Sequence, residues 1–171
     1  MKKIVITFGL ISGAIMIGMM LATMSFIDKI GFDKALVLGY TTIVGAFLLV
    51  FFGIRSYREN VLGGRITFGK AFAVGILITL IACVCYVVVW EIAYFYFNLM
   101  PDFMDKYAQH MIEKARAAGD SQQMIDAQIQ EMKNFKTMYD NPFINAAFTF
   151  MEPFPVGLVI TLISSAILRR R

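Results

Sequence analysis

Residues 51–72 read FFGIRSYRENVLGGRITFGKAF, and this stretch decides how the chain is organised. It is short, polar and basic, and an uncharged apolar run of membrane-spanning length lies on each side of it. Gly63 and Gly64 mark the natural point of reversal, because glycine alone enters positive φ freely. We therefore predict a turn over residues 55–70 between two transmembrane helices.

The composition also indicates a membrane protein. Of the 171 residues, 58% are hydrophobic and only 16% are charged, whereas about a quarter of the residues of a soluble domain are charged. Charges are absent from four runs and concentrated in the gaps between them, which is typical of a polytopic membrane protein. The isoelectric point of about 9.1 is therefore not a sign of nucleic-acid binding.

The four runs predict an all-α membrane protein, a single domain over residues 1–171. The transmembrane helices are expected at residues 4–27, 35–54, 71–92 and 146–168. A signal peptide is the alternative for the first run, but the run is too long for one and no clean cleavage site follows it. Within the fourth run, the prolines of Glu152-Pro153-Phe154-Pro155 remove backbone donors and predict a bend or a new helix start.

The long polar segment, residues 101–142, predicts an amphipathic helical hairpin between the third and fourth transmembrane helices. Apolar residues recur at helical spacing on both sides of Gly119, which ends the first helix. Asp120 or Ser121 then caps the second helix. The Asp-Asn-Pro sequence at 140–142 stops that helix.

The basic residues predict the orientation of the chain. Four spans place both termini and the turn 55–70 on one side, where basic residues are denser than on the other side. The positive-inside rule makes this side cytoplasmic, so the hairpin 101–142 is periplasmic and the protein lies in a bacterial inner membrane. The residues expected to orient the chain and contact anionic lipid are Arg55, Arg58, Arg65, Lys70, Arg169, Arg170 and Arg171.

Glu91 and Glu152 are the acidic residues of the apolar runs. A carboxylate costs roughly 2.5–3.5 kcal/mol at the centre of a bilayer and less near its surface. Both acids lie near the outer boundary, on the third and fourth helices, so we expect that they could share one cavity and hold a proton or a cation. The alternative is that both are hydrated or hydrogen-bonded and serve the structure only.

A near match to a nucleotide-binding loop occurs within the turn. Residues 64–71 almost spell G-x-x-x-x-G-K-[ST], but Ala71 replaces the hydroxyl that would hold Mg²⁺. No strand precedes the loop, and a transmembrane helix follows it. We therefore interpret the glycines as turn residues and predict no nucleotide cofactor.

The cysteines and the histidine also predict no catalytic or metal site. Cys83 and Cys85 point roughly 200° apart on a helix, so they cannot pair or share a metal. His110 and Glu113 share a helix face, but two ligands do not make a zinc site. The sequence therefore predicts no enzyme, no metal and no cofactor.

Several stretches resemble one bacterial integral-membrane family, domain of unknown function 4199 (DUF4199). They are the quoted residues 51–72, MKKIVITFGLISGA at 1–14, VWE at 89–91, YDNP at 139–142 and EPFPVGL at 152–158. The resemblance covers essentially the whole chain and is most specific at residues 51–72. It implies a four-helix membrane protein of gram-negative bacteria without an established activity, and it supplies no catalytic residues.

The sequence thus predicts a non-enzymatic inner-membrane protein that acts by helix packing or by binding a partner through its periplasmic hairpin. The alternative is a small ion- or proton-coupled transporter that uses Glu91 and Glu152. The expected partners are the lipid bilayer, other copies of the chain, or a periplasmic or membrane protein. Nucleic acid is not among them.

Overall fold

A computed structural model describes residues 1–99 and 101–170, and most of them are helical. The elements are α1 Lys2–Ser25, α2 Ile27–Ile30, α3 Phe32–Leu62, α4 Phe68–Glu91, a π-helix at Ile92–Tyr96, α5 Phe103–Ala118, α6 Gln122–Tyr139, α7 Pro142–Met151 and α8 Phe154–Leu168. Arg171, expected to help orient the chain, lies outside the described residues.

Within residues 1–99 and 101–170, four segments are long and apolar enough to cross a membrane, which confirms the predicted number of spans. They are Lys2–Ser25, Phe32–Leu62, Phe68–Tyr96 and Pro142–Leu168. Each carries large apolar side chains that are about half exposed or more, for example Leu10, Leu48, Val84 and Ile163. A soluble monomer rarely exposes apolar patches of more than a few hundred Å². The chain is therefore a multi-pass membrane protein.

The chain divides into two compact units. The membrane unit comprises Met1–Val89 and Thr149–Arg171, and the α5–α6 unit comprises Trp90–Phe148. This division is finer than the single domain taken from the sequence. Glu152 belongs to the membrane unit and Glu91 to the α5–α6 unit.

In the membrane unit, α4 and α8 meet through two reciprocal glycine–threonine contacts. A Cβ atom on Gly157 would overlap Thr79 Cγ2, and one on Gly75 would lie 2.8 Å from Thr161 Cγ2. In each helix the glycine and the threonine are four residues apart and so share a face. The two threonine hydroxyls also hydrogen-bond each other at 3.1 Å. Small residues allow this close approach in lipid, where helices gain little from the hydrophobic effect.

Small residues also bring α1 close to its neighbours. A Cβ on Gly9 would lie 2.8 Å from Ile81 in α4. Ser12, one turn further along α1, is fully buried and donates a hydrogen bond to the Ala46 carbonyl in α3 at 3.1 Å. The buried hydroxyl is thus satisfied, as a polar group in lipid must be.

The turn after α3 is shorter than the predicted 55–70. Helix α3 continues to Leu62, beyond the predicted end of the span, and the chain reverses at Gly63 and Gly64 with φ of 64° and 91°. Helix α4 begins at Phe68. The longer helix is held in part by Arg58, which donates to the Leu168 carbonyl at the end of α8 at 3.0 Å.

Two of the four spans are interrupted. The fourth breaks at Glu152 and Pro153, between α7 and α8, where the sequence places prolines without backbone N–H groups. The third ends in the π-helix Ile92–Tyr96, which no sequence pattern indicated. A π-helix replaces the i→i+4 hydrogen bonds of an α-helix by i→i+5 bonds and is frequent at functional sites.

We predict that Gly157→Ala destabilises the protein by about 1–3 kcal/mol, because the new methyl group overlaps the Thr79 methyl and the Phe47 ring. The free energy of unfolding, measured by denaturant titration in mixed micelles, tests this. Gly45→Ala in α3 is the matched control, since a Cβ there meets no atom within 4 Å.

A second variant makes the explanation specific. Thr79→Ser removes the methyl group but keeps the hydroxyl that bonds Thr161, so Gly157→Ala with Thr79→Ser should regain part of the lost stability. Equal unfolding free energies for Gly157→Ala and Gly45→Ala would contradict the proposed close packing.

Candidate functional site

Glu152 lies at the break in the fourth span and contacts α4. Its Oε2 atom accepts a hydrogen bond from the Tyr86 hydroxyl at 3.2 Å, and the side chain is half-buried. Pro153 follows it and is buried, so the break is packed within the membrane unit. A carboxylate at a helix break inside a membrane protein is a position where a proton or cation can be held.

The register of α4 against α8 explains why Tyr86 reaches Glu152. The helices run antiparallel, with Gly75 opposite Thr161 and Thr79 opposite Gly157. Tyr86 is two helical turns beyond Thr79, while the chain direction of α8 is reversed. The Tyr86 hydroxyl therefore lies near the residues that precede α8, which include Glu152. The sequence showed Glu152 but not Tyr86, because nothing in an apolar run indicates the register of two helices.

Glu91 is the last residue of α4 and immediately precedes the π-helix. Its side chain is half-buried, and its Oε1 atom is shielded from solvent. Among the residues that the structure describes, Glu91 Oε1 is the one buried side-chain polar atom without a hydrogen-bond partner. A buried polar atom without a partner costs about 1–3 kcal/mol, so the position calls for a proton, a cation or a donor.

A buried amide network lies beside Glu91 in sequence and within the same α5–α6 unit. Trp90 Nε1 donates to Asn145 Oδ1 at 2.8 Å, and Asn145 Nδ2 donates to the Tyr139 carbonyl at 3.1 Å. Asn145 is fully buried. The network ties the end of α4 to α7 and to the end of α6.

Trp90 is buried in this network, while its aromatic neighbours along the chain differ in exposure. Trp90 is only 6% exposed and stacks on Tyr94 with ring centroids 5.8 Å apart, whereas Tyr96 is 81% exposed. The Trp90 indole can be buried because its N–H donates to the buried Asn145 side chain. The signal that could have revealed it is Asn145, an amide in an otherwise apolar run.

Helices α5 and α6 pack side by side around a cavity of about 360 Å³. Lys136 near the end of α6 pairs with Asp105 near the start of α5, so the helices run antiparallel. The hydrogen bond to the Asp105 carboxylate raises the pKa of Lys136 above its usual range. The cavity is lined by Asp105, Ala108, Gln109, Ile112, Glu113, Arg116, Ile129, Met132, Lys133 and Lys136.

The lining of this cavity combines apolar residues with charged residues of both signs. Glu113 on α5 accepts from Gln109 at 2.9 Å, and Lys133 belongs to α6. Ile112 on α5 and Ile129 on α6 are apolar lining residues that are partly exposed. Such a groove suits an apolar ligand surface with charged groups on both flanks.

The ends of α5 and α6 follow the sequence signals. Gly119 has φ 80° and ends α5, and the Ser121 hydroxyl accepts from the Met124 amide at 3.4 Å to cap α6. Ser121 rather than Asp120 is the cap. Helix α6 ends at Tyr139, just before the Asp-Asn-Pro sequence.

The metal-ligating residue types do not converge. Within residues 1–99 and 101–170, no group of three His, Cys, Asp or Glu side chains could hold a metal ion. Cys83 is buried, Cys85 is half-buried, and both are free thiols. Lys70, from the near match to a nucleotide-binding loop, lies in the first turn of the membrane-spanning α4.

The basic residues expected to orient the chain lie near the ends of α3, α4 and α8. Arg58 pairs with Glu59 at 2.6 Å in addition to its bond to the Leu168 carbonyl. The other described members are exposed: Arg55, Arg65, Lys70, Arg169 and Arg170.

A comparison with family models identifies the family of the chain. The model described as "Protein of unknown function (DUF4199)" matches residues 7–170, nearly the whole chain. The chain belongs to this family. No curated protein and no solved structure matches it. Family membership confirms the resemblance noted in the sequence, and the functional argument for this DUF4199 protein rests on its own residues.

We predict that Asn145→Ala lowers the free energy of unfolding by about 1–2 kcal/mol, because it leaves the Trp90 indole N–H and the Tyr139 carbonyl without their partner. Denaturant titration followed by Trp90 fluorescence measures this, since Trp90 is the single tryptophan.

The matched control is Asn134→Ala, which removes an exposed hydrogen bond from Gln130. This change should alter stability by less than about 0.5 kcal/mol. If Asn145→Ala were as mild as the control, the buried network would not stabilise the unit.

Proposed function

We propose that this protein is a non-enzymatic membrane protein that binds a partner in the groove between α5 and α6. The groove carries the proposal: its lining combines apolar residues with charged residues of both signs, and its volume is about 360 Å³. Such volumes are typical of binding sites, which range over roughly 300–1,000 Å³. The four spans serve as the anchor that presents it.

The occupant that best fits the groove is an amphipathic helix of another membrane or extracytoplasmic protein. From Asp105 to Arg116 the α5 wall extends ~17 Å, about three helical turns. An apolar row at i, i+3 and i+4 spacing would cover Ile112 and Ile129. Acidic groups of the ligand would meet Arg116 on α5 and Lys133 on α6, whose side-chain charged groups have no ion pair or hydrogen bond within the described residues.

The distribution of basic residues supports an orientation in which the groove faces away from the cytoplasm. Basic residues are dense at both termini and between α3 and α4. By the positive-inside rule these parts are cytoplasmic, in the inner membrane of a bacterium. Helices α5 and α6 are then on the periplasmic side, where the partner would be met.

Photocrosslinking in native membranes tests the groove. A photoreactive amino acid at Ala108 or Met132, inside the groove, should give one discrete adduct whose crosslinked residue lies on the apolar face of a helix in another protein. Placed at the exposed Ala117 or Ala127, it should give at least about tenfold less. Ile112→Glu, which places a charge in the apolar part of the groove lining, should abolish the adduct from Met132.

Other outcomes would contradict this function. Adducts of equal yield from groove and control positions would show that the groove is not selective. An adduct to a second copy of the chain would make the groove a self-association surface. No adduct at any position would leave the groove without a protein partner and would reject the proposal.

A second candidate, a small ion- or proton-coupled carrier, is favoured by the environment of the two acids. Glu91 has a buried oxygen without a hydrogen-bond partner next to a π-helix, and Glu152 lies at the break between α7 and α8. Irregular helices within membranes often hold ions or substrates. Each acid would carry a proton or a cation in this function.

Flux in proteoliposomes tests the carrier. A pH gradient should drive proton or cation movement by the wild type, and Glu152→Gln or Glu91→Gln should reduce its rate at least about tenfold. Glu131→Gln, an exposed acid on α6, is the control and should leave the rate unchanged. Wild-type flux equal to that of empty vesicles, or unchanged flux in both acid variants, would reject a carrier.

A further inference from the structure

The C-terminal residues form a strand-like contact with the turn between α3 and α4. The Ile66 amide donates to the Arg170 carbonyl, and the Arg170 amide donates to the Ile66 carbonyl, both at 2.9 Å. Ile66 and Leu168 are buried beneath this contact. Arg58 adds a third link through its bond to the Leu168 carbonyl. The backbone on both sides of the contact is therefore fixed.

Three arginines lie at or next to this contact in the chain. Arg65 precedes Ile66, and Arg169 precedes Arg170, so three arginines flank the paired backbone. Glu59 is the acidic residue near the end of α3, and Arg58 already pairs with it at 2.6 Å. For the other three arginines, the described residues provide no ion pair and no hydrogen bond to the guanidinium group. An anion is thus the missing partner.

Exposed apolar side chains lie within four residues of these arginines in the sequence. Val61 precedes the turn, Phe68 opens α4, and Ile167 lies in the last turn of α8. They are 50%, 39% and 65% exposed, respectively. All three lie at the ends of membrane-spanning segments, at the depth where lipid headgroups and acyl chains meet. A soluble anion would use the arginines only, whereas a lipid would use both groups.

We propose that the turn and the C-terminal strand together form a binding site for the phosphate headgroup of an anionic phospholipid. Arg65, Arg169 and Arg170 bind the phosphate, and Val61, Phe68 and Ile167 contact the acyl chains. Guanidinium groups suit phosphate because their planar donors bind two oxygens at once. The fixed backbone lowers the conformational entropy lost on binding.

This site does not depend on the groove between α5 and α6 or on the acids of the spans. It differs from the general attraction of a basic surface to a membrane, because the Ile66–Arg170 contact fixes the backbone that carries the arginines. It predicts selective retention of single lipids on the purified protein. It also predicts that cations elsewhere on the chain contribute less.

Native mass spectrometry of the full-length protein, released from micelles with phosphatidylglycerol or phosphatidylcholine, tests the site. The wild type should retain phosphatidylglycerol at least about tenfold more than phosphatidylcholine, since each basic residue near a membrane contributes about 1 kcal/mol, or about fivefold. Replacing Arg65, Arg169 and Arg170 together by glutamine should abolish that preference.

The control variant combines Lys29→Gln and Lys34→Gln, exposed cations near the junction of α1 and α3. It should keep the preference for phosphatidylglycerol. Thermal unfolding of both variants in micelles shows whether the fold is intact. A second variant, Arg58→Lys, keeps the charge but weakens the link to Leu168; it should reduce selectivity less than the triple glutamine variant does.

Three results would overturn the proposal. Equal retention of the two lipids by the wild type would exclude a headgroup site. If the triple variant and the lysine control lost the preference for phosphatidylglycerol equally, that preference would depend on net charge and not on this site. Displacement of phosphatidylglycerol by inorganic phosphate alone would show that the arginines serve a soluble anion and not a lipid.

Discussion

The close approach of α4 and α8 is the constraint on which the membrane unit depends. Gly75 and Gly157 each accept a threonine methyl from the opposite helix, and the two threonine hydroxyls bond each other. In a membrane, apolar side chains gain little free energy when they exchange lipid contacts for protein contacts. Close packing and hydrogen bonds therefore select the register of the two helices. That register then brings Tyr86 to Glu152 at the helix break.

The lipid environment also explains why buried polar groups have hydrogen-bond partners. Ser12, Thr79, Thr161 and Asn145 are buried, and each has a hydrogen-bond partner. An unpaired polar group costs several kcal/mol in hydrocarbon, so such pairs are expected. Glu91 Oε1 stands apart from them. Its missing partner is the reason why a carrier remains a specific second candidate beside the partner-binding groove.

Part of the fold and part of the candidate site could be predicted. Uncharged runs gave four spans because their length matches a bilayer, and Pro153 indicated the break because proline lacks an N–H group. Glu91 and Glu152 could be recognised from the sequence as acidic residues within apolar runs. Asn145, Tyr86 and the Ile66–Arg170 contact were not, because each acts through a partner that is distant in the chain.

By itself, the sequence determined the family, the four spans, the break in the fourth span and the acids placed in apolar runs, since length, charge and proline act locally. The tertiary structure alone decided which glycines touch threonines, that Trp90 is buried against Asn145, and that the C-terminal arginines pair with the turn. The reason is physical: helix periodicity tells which residues share a face, but only packing fixes the register between faces.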